Sequence, residues 1–177
     1  MNLNFETLIA HEGGRLIDPR YNIFFPWYTK PFLEKLISFN LSEWKVFEYG
    51  GGDSTIWWRK NCREIISVDT NKDWSETSGS FFCNDKESFI NYPKEFINKE
   101  KFDCIIIDSE PVNWRDECVP TALECLKDGG FLIIDNYKQK TVELENWPIA
   151  DKFLENKISE VFQNPGHFDW KTGYWIK

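Results

Sequence analysis

The chain has 177 residues, of which 41% are hydrophobic and 17% aromatic, and this supply of apolar side chains excludes an intrinsically disordered polypeptide. Its 29 acidic residues outnumber its 21 basic residues and give a net charge of −8, which disfavours a nucleic-acid partner because phosphate backbones attract clustered lysine and arginine. We expect one domain over 1–177, with an N-terminal lid and helix over 1–43 and a core over 44–177.

The sequence shows no signal for a membrane or for secretion. No apolar run approaches the roughly 20 residues that a membrane helix needs, and the amino terminus lacks a basic start followed by an apolar stretch. The five cysteines are odd in number and form no C-x-x-C pair, so they predict neither a disulfide framework nor a zinc site. We expect a cytoplasmic protein with no membrane partner, and the sequence leaves its oligomeric state open.

The first 28 residues lack clear periodicity and predict an irregular segment. We expect this segment either to lie over the mouth of a site as a lid or to cover the core as a strap. A helix is predicted over 29–39, because Pro31 suits a first turn and the apolar residues after it share one face. The aromatic residues of the segment either line a pocket or complete the core; they are Tyr21, Phe24, Phe25, Trp27 and Tyr28.

From residue 44 onward, short apolar runs alternate with longer amphipathic segments, which is typical of βα units around a parallel sheet. Helices are predicted over 53–60 and around 119–126, where 128–130 would end the second helix, and another begins near Pro148. The aromatic tail predicts a hairpin that turns at 164–166. The five predicted strands are 44–49, 64–69, 80–83, 102–108 and 130–135.

Three glycines stand between the first of these strands and its helix. Gly50, Gly51 and Gly52 let the backbone turn tightly and approach a ligand without a Cβ in the way. Thr55 occupies the third position of the nicotinamide fingerprint, where a branched side chain is unfavourable. The pattern from Glu48 through the glycines instead resembles motif I of the class I S-adenosylmethionine (SAM)-dependent methyltransferases, with Ser54 at its end.

This resemblance implies an α/β, three-layer, doubly wound fold, with a mostly parallel seven-stranded sheet and a C-terminal antiparallel hairpin strand. It also implies SAM as the cofactor, held by the turn, and Asp69 at the end of the second strand as the acceptor of both ribose hydroxyls. By the same resemblance, Asp108 lies beside the methyl group or substrate as the candidate catalytic residue, and 127–130 is the family's next landmark. The implied cofactor-binding set is Glu48, Gly50, Gly51, Gly52, Ser54, Asp69, Asn84, Asp85 and Asp108, in which Asn84 and Asp85 meet the adenine edge. The alternative interpretation of an aspartate at a strand end is that it caps the following helix.

Asp108, Asp135 and Asn136 end two neighbouring strands and form an oxygen set that suits a hard divalent cation. This arrangement resembles the magnesium-dependent catechol and caffeoyl-coenzyme A O-methyltransferases, which implies a Mg2+ ion that binds the acceptor oxygens. The sequence departs from the catechol enzymes because no lysine follows Asp108. Arg115 either clamps a substrate carboxylate or phosphate, or pairs with its helix neighbours Asp116 and Glu117.

The sequence therefore predicts SAM-dependent methyl transfer to a small or medium-sized molecule, with an oxygen acceptor favoured. Two alternatives remain open, a non-catalytic module that binds the cofactor or a nucleoside, and an aminopropyltransferase-type enzyme on the same fold. We expect the two histidines, His11 and His167, to be surface or capping residues and not a catalytic base.

Overall fold

The protein was analysed as a computed structural model that describes residue 8 and residues 15–138, 146–163 and 171–177. In chain order its elements are β1 (Ile17–Asp18), β2 (Ile23–Phe24), α1 (Lys30–Leu36), β3 (Lys45–Tyr49), α2 (Asp53–Asn61), β4 (Glu64–Asp69), α3 (Lys72–Ser78), β5 (Phe81–Phe82), α4 (Lys86–Asn91), a 3₁₀ helix (Tyr92–Phe96), β6 (Phe102–Ile107), α5 (Asn113–Cys125), β7 (Leu126–Asp135), α6 (Pro148–Leu154), β8 (Ile158–Gln163) and β9 (Lys171–Ile176). In these ranges, no helix is both long enough and apolar enough to cross a bilayer.

Seven strands form one sheet in the order β5, β4, β3, β6, β7, β9, β8. The first five run parallel, whereas β9 pairs antiparallel with both β7 and β8. The chain winds outward from β3 in one direction through β4 and in the other through β6, so the strand order reverses beside β3. Open α/β sheets bind their ligands at the carboxyl ends of the strands where the order reverses. The predicted mostly parallel sheet with an antiparallel hairpin strand is confirmed.

Both faces of the sheet are covered by apolar side chains. Because side chains alternate along a strand, Val46 and Phe47 of β3 belong to two different clusters. The Phe47 cluster packs against α4, α5 and α6, and the Val46 cluster packs against α1, α2 and the N-terminal segment. All five residues of β3 are buried, including the charged residues Lys45 and Glu48.

The helix predicted to stop at 128–130 ends earlier than expected. Helix α5 ends at Cys125, and Leu126 already begins β7, paired with Phe102 of β6. Gly129 and Gly130 instead form backbone hydrogen bonds with Lys177 at the amino end of β7, where the sheet meets the last residue of the chain. That prediction was wrong, and 127–130 lies at the end of the sheet opposite the carboxyl ends of the parallel strands.

Two short helices, α3 and α4, have no counterpart among the predicted segments, although both begin at recognisable caps. The side chain of Asn71 accepts hydrogen bonds from the first turn of α3, and the side chain of Asp85 accepts one from the first turn of α4. The predicted hairpin is present as β8 and β9. Its predicted turn at 164–166 lies outside the described residues.

The described part of the N-terminal segment packs on α2. Strands β1 and β2 pair with each other, and the Asp18 carboxylate accepts a 2.8 Å hydrogen bond from Trp57 Nε1 and further bonds from Arg20. Phe25 and Tyr28 are buried in the Val46 cluster. This stretch therefore covers core as a strap, while residues 1–7 and 9–14, with His11, lie outside the described residues.

Candidate functional site

A cavity of about 570 Å³ opens at the carboxyl ends of the parallel strands, beside the point where their order reverses. Its wall combines the three glycines of the β3–α2 turn, the start of α2, strand-end residues of β4 and β7, the residues that follow β6, and aromatic residues of the N-terminal segment. Cavities of roughly 300–1,000 Å³ are typical of small-molecule sites. The cavity therefore lies where the sequence predicts the cofactor.

Gly50 and Gly51 are glycines because the sheet leaves no room for a side chain. Gly50 has a φ of 101°, and a Cβ there would lie 2.3 Å from the backbone oxygen of Asp108. A Cβ on Gly51 would lie 2.2 Å from Ser80 Oγ. A Cβ on Gly52 would meet no atom within 4 Å, although Gly52 lines the cavity. The first two glycines serve packing, and the third keeps the cavity open.

Glu48 lies under the turn and is not part of the cavity wall. It is fully buried, and Thr55 Oγ1 donates a hydrogen bond to its Oε2 while accepting one from the Gly52 amide at 3.1 Å. Glu48 Oε1 has no hydrogen-bond partner among the described residues. Burial raises the pKa of Glu48 to about 8. The Thr55 hydroxyl thus links the turn to Glu48. This role explains a threonine at the position where a dinucleotide fingerprint would need a small residue.

Asp69, at the end of β4, lines the cavity and holds the turn from the neighbouring strand. Its Oδ2 accepts a 2.6 Å hydrogen bond from the Gly51 amide, and its Oδ1 accepts one of 2.6 Å from the Asn71 amide. Burial raises its pKa. Each carboxylate oxygen can accept a second hydrogen bond, so Asp69 can hold the turn and still accept from a ligand hydroxyl.

Asn84 and Asp85 lie outside the cavity wall. Both residues are exposed, and Asp85 Oδ1 accepts a 2.8 Å hydrogen bond from the Ser88 amide as the cap of α4. Their contact with an adenine edge stays a prediction. The β4–β5 side of the wall comes instead from Asn71 and the half-exposed Trp74, which the motif comparison does not single out. Asn71 could have been found from its position as a helix cap two residues after Asp69.

Arg115 occupies the position that the sequence assigns to a metal ion. Its Nη2 lies 3.2 Å from Asp108 Oδ1, and its Nη1 donates to the Asp135 backbone oxygen at 2.9 Å and to Asn136 Oδ1 at 3.4 Å. Asp135 Oδ1 also accepts a 2.6 Å hydrogen bond from Thr172 Oγ1. A guanidinium that lies against the Asp108 and Asn136 side chains and the Asp135 backbone repels a second cation.

These residues therefore do not fit Mg2+, and the predicted magnesium site at Asp108, Asp135 and Asn136 is not supported. Throughout the part of the chain that the structure describes, no group of three or more histidine, cysteine, aspartate or glutamate side chains is arranged to hold a metal ion. Burial raises the pKa of Asp108, and the positive charge of Arg115 partly opposes this effect.

The predicted pairing of Arg115 with its helix neighbours is also wrong. Asp116 accepts hydrogen bonds from the Ile149 and Ala150 amides at the start of α6, and Glu117 pairs with Lys86. Arg115 itself is 4% exposed. Its guanidinium faces the loop after β6 and the end of β7, so it belongs to the cavity and not to the outer surface of α5.

The N-terminal segment supplies the remaining wall of the cavity. Arg15 forms an ion pair with Asp53 at the start of α2, and its guanidinium stacks on the Phe24 ring at 3.8 Å. Phe25 and the half-exposed Trp27 also line the cavity. The described part of the segment therefore covers core and forms one side of the site. His167, like His11, lies outside the described residues.

No protein-family model and no curated protein matches the sequence. Solved structures do resemble it. An O-methyltransferase from Bacillus cereus in complex with S-adenosylhomocysteine (SAH) superposes with a TM-score of 0.63 at 16% identity, covering 97% of this chain and 86% of that chain. The O-methyltransferase TomG from Streptomyces achromogenes, in complex with SAM, gives 0.57 at 13% identity, over 75% of this chain and 73% of that one. An rRNA methylase from Streptococcus thermophilus superposes with a TM-score of 0.57 at 13% identity, covering 78% of this chain and 89% of that chain.

The chain shares the fold of these solved structures. At these identities the likeness concerns the fold, and the matched proteins act on different acceptors by their names. In this fold the turn at Gly50–Gly52 follows the strand from which the chain winds outward in both directions. The resemblance seen in the glycine motif thus agrees with the architecture.

Proposed function

We propose that this protein transfers a methyl group from SAM to a small or medium-sized acceptor molecule. The observation that supports this most is the open space beside Gly52, in a turn where a Cβ on either of the other two glycines would clash with neighbouring atoms. A backbone without a Cβ at the wall of a cavity lets a ligand approach it closely.

The residues around the cavity fit the cofactor. The Gly51 and Gly52 backbone and Ser54 would lie along its amino-acid end, and Asp69 would accept from its ribose hydroxyls. Five acidic side chains and two arginines line the cavity, and this excess of negative charge favours a ligand that is a sulfonium cation. When bound, SAM supplies an activated methyl group, and the protein's part is to hold the acceptor in line with it.

The acceptor is proposed to be a small molecule because of the shape and charge of the site. A cavity of about 570 Å³ that also takes the cofactor leaves limited room, and the chain carries a net charge of −8. Phe25 and Trp27 supply an apolar part of the cavity wall. A nucleic-acid acceptor would need a basic surface for its phosphates, which the charge balance disfavours.

Calorimetric titration with SAM and SAH tests the proposal. We expect both to bind, and we expect Asp69→Ala to weaken binding by roughly 1–3 kcal/mol, because ribose hydroxyls lose their acceptor. Asp73→Ala, which removes an exposed carboxylate on α3, is the matched control and should bind like the wild type. Failure of SAM and SAH to bind, or equal affinity for the two variants, would contradict the proposal.

The same titration, together with an assay of methyl transfer, separates the alternatives. Tighter binding of decarboxylated SAM than of SAM would favour an aminopropyltransferase. Binding of SAM without methyl transfer to any small acceptor would favour a non-catalytic module. Methyl transfer measured as SAH release is the result expected here.

A further inference from the structure

We propose that Arg115 and Asp108 together form the binding point for a hydroxyl group of the acceptor, with the guanidinium in place of a divalent cation. This inference rests on the proposed function, because it names the acceptor end of the same cavity. It also follows from the failure of the oxygen ligands to fit a metal.

The guanidinium of Arg115 is held rigidly along two of its three edges. Nε donates to the Ser109 backbone oxygen at 2.7 Å, and Nη1 donates to the Asp135 backbone oxygen at 2.9 Å. These bonds join the loop after β6 to the end of β7. An arginine side chain fixed in this way has already lost its rotamer freedom, so a further hydrogen bond from it costs little additional entropy.

The third edge of the guanidinium faces two carboxylates, and Arg115 lines the cavity. Nη2 lies 3.2 Å from Asp108 Oδ1 and 4.0 Å from Glu110 Oε1. Among the described residues, neither Nη2 nor the Asp108 carboxylate makes a hydrogen bond, although the two attract each other by charge. Both groups line the cavity, so both have hydrogen-bonding capacity left for a ligand.

A hydroxyl is the group that matches this pair. Its oxygen can accept from Nη2 while its hydrogen is donated to Asp108, whereas a carboxylate is repelled by Asp108 and an ammonium by Arg115. The guanidinium also favours negative charge on the acceptor oxygen, and Asp108 Oδ can hold the hydroxyl proton. This is the task that a metal ion performs when it binds an acceptor oxygen, and here a side chain performs it.

Three ring-matched probes test the inference on the SAH-saturated protein, namely benzyl alcohol, benzoate and benzylammonium, with binding followed by ligand-observed NMR. We expect benzyl alcohol to bind best to the wild type, with no change when Mg2+ is added or chelated. Arg115→Met should weaken benzyl alcohol by about tenfold, the scale for a lost hydrogen bond to a charged group. Asp108→Asn should strengthen benzoate binding, a gain that structural damage would not produce.

Arg63→Met is the matched control, because it removes an exposed arginine that pairs with Glu100 far from the cavity. Thermal unfolding shows whether each variant is folded, and if Arg115→Met is not, Arg115→Lys and the nearly isosteric Asp108→Asn decide the question. The inference is overturned if benzoate or benzylammonium binds the wild type as well as benzyl alcohol, if Asp108→Asn leaves benzoate unchanged, or if benzyl alcohol needs Mg2+. Failure of the wild-type protein to bind SAH would instead contradict the proposed function itself.

Discussion

Replacing Gly52 by alanine separates the folding of the turn from its use as a binding surface. The φ of Gly52 is 177°, which any residue adopts, and a Cβ there meets no atom within 4 Å. The added methyl group therefore enters the open space of the cavity without touching the protein. If the cofactor lies there, the variant should fold normally and bind poorly.

The expected sizes come from the local geometry. Gly52→Ala should change the free energy of unfolding by no more than about 1 kcal/mol, since a helix-cap penalty and a reduced unfolded-state entropy oppose each other. Its affinity for SAH should fall by roughly 1–3 kcal/mol, the cost of overpacking a filled site. Gly50→Ala is the contrasting variant, because its φ is 101° and its Cβ would lie 2.3 Å from a backbone oxygen.

For Gly50→Ala we expect a loss of stability of about 3 kcal/mol or more, which lowers the melting temperature of a domain of this size by roughly 6–12 °C. Differential scanning fluorimetry and calorimetric titration with SAH measure the two quantities on the same samples. Unchanged SAH affinity in a folded Gly52→Ala variant would refute the placement of the cofactor against this glycine. An unchanged melting temperature for Gly50→Ala would refute the packing argument.

Two further predictions concern buried carboxylates. The pKa of Glu48 is about 8 in the folded chain against an ordinary value of 4.5, so the stability it contributes below pH 4.5 is lost as the pH rises towards 8. Urea denaturation of the wild type should show this loss, up to roughly 5 kcal/mol in the free energy of unfolding. For Glu48→Gln, the free energy of unfolding should change less between pH 5 and pH 8. Parallel pH dependence in the two proteins would contradict the raised pKa of Glu48. Asp18 is fully buried and accepts from Trp57 Nε1, so Asp18→Asn should lower the free energy of unfolding by about 2 kcal/mol. The exposed Asp128→Asn control should change it by less than about 0.5 kcal/mol, and equal effects would argue against the buried network.

The strands could be predicted from the sequence because burial selects short, mostly apolar runs, such as 104–107 in β6. Strand β4 has the predicted bounds, and β3 and β6 differ from theirs by one residue each. The prediction failed at Leu126, where an apolar residue suits the fourth position of a helical stripe and the first position of a buried strand equally well. Only the pairing with Phe102 separates the two cases, and such a contact between distant residues leaves no local pattern.

Only the site residues that end a strand or directly follow one could be predicted from the sequence. Asp69 and Asp108 lie in the cavity wall because parallel strands end at a common edge. The role of Arg115 could not be predicted, because two of its partners are the backbone oxygens of Ser109 and Asp135. Every residue has a backbone oxygen, so the sequence does not indicate which one accepts a hydrogen bond. Its nearest acidic neighbours along the helix are one and two positions away, and side chains at that spacing do not face each other.

The three carboxylates at the sheet edge explain why this site differs from a metal centre. Glu48 lies in β3, Asp108 directly follows β6, and Asp135 ends β7. Glu48 pairs with Ile106, and Ile106 with Ile133, so the two aspartates, each two residues beyond these isoleucines, lie on the same face of the sheet as Glu48. Each negative charge is offset in a different way. Burial favours the protonated form of Glu48, Arg115 faces Asp108, and Thr172 donates to Asp135. Because the offsetting groups are part of the fold, a divalent cation would have to displace a buried guanidinium before it could bind, and the charge presented to an acceptor is set by Arg115 and Asp108.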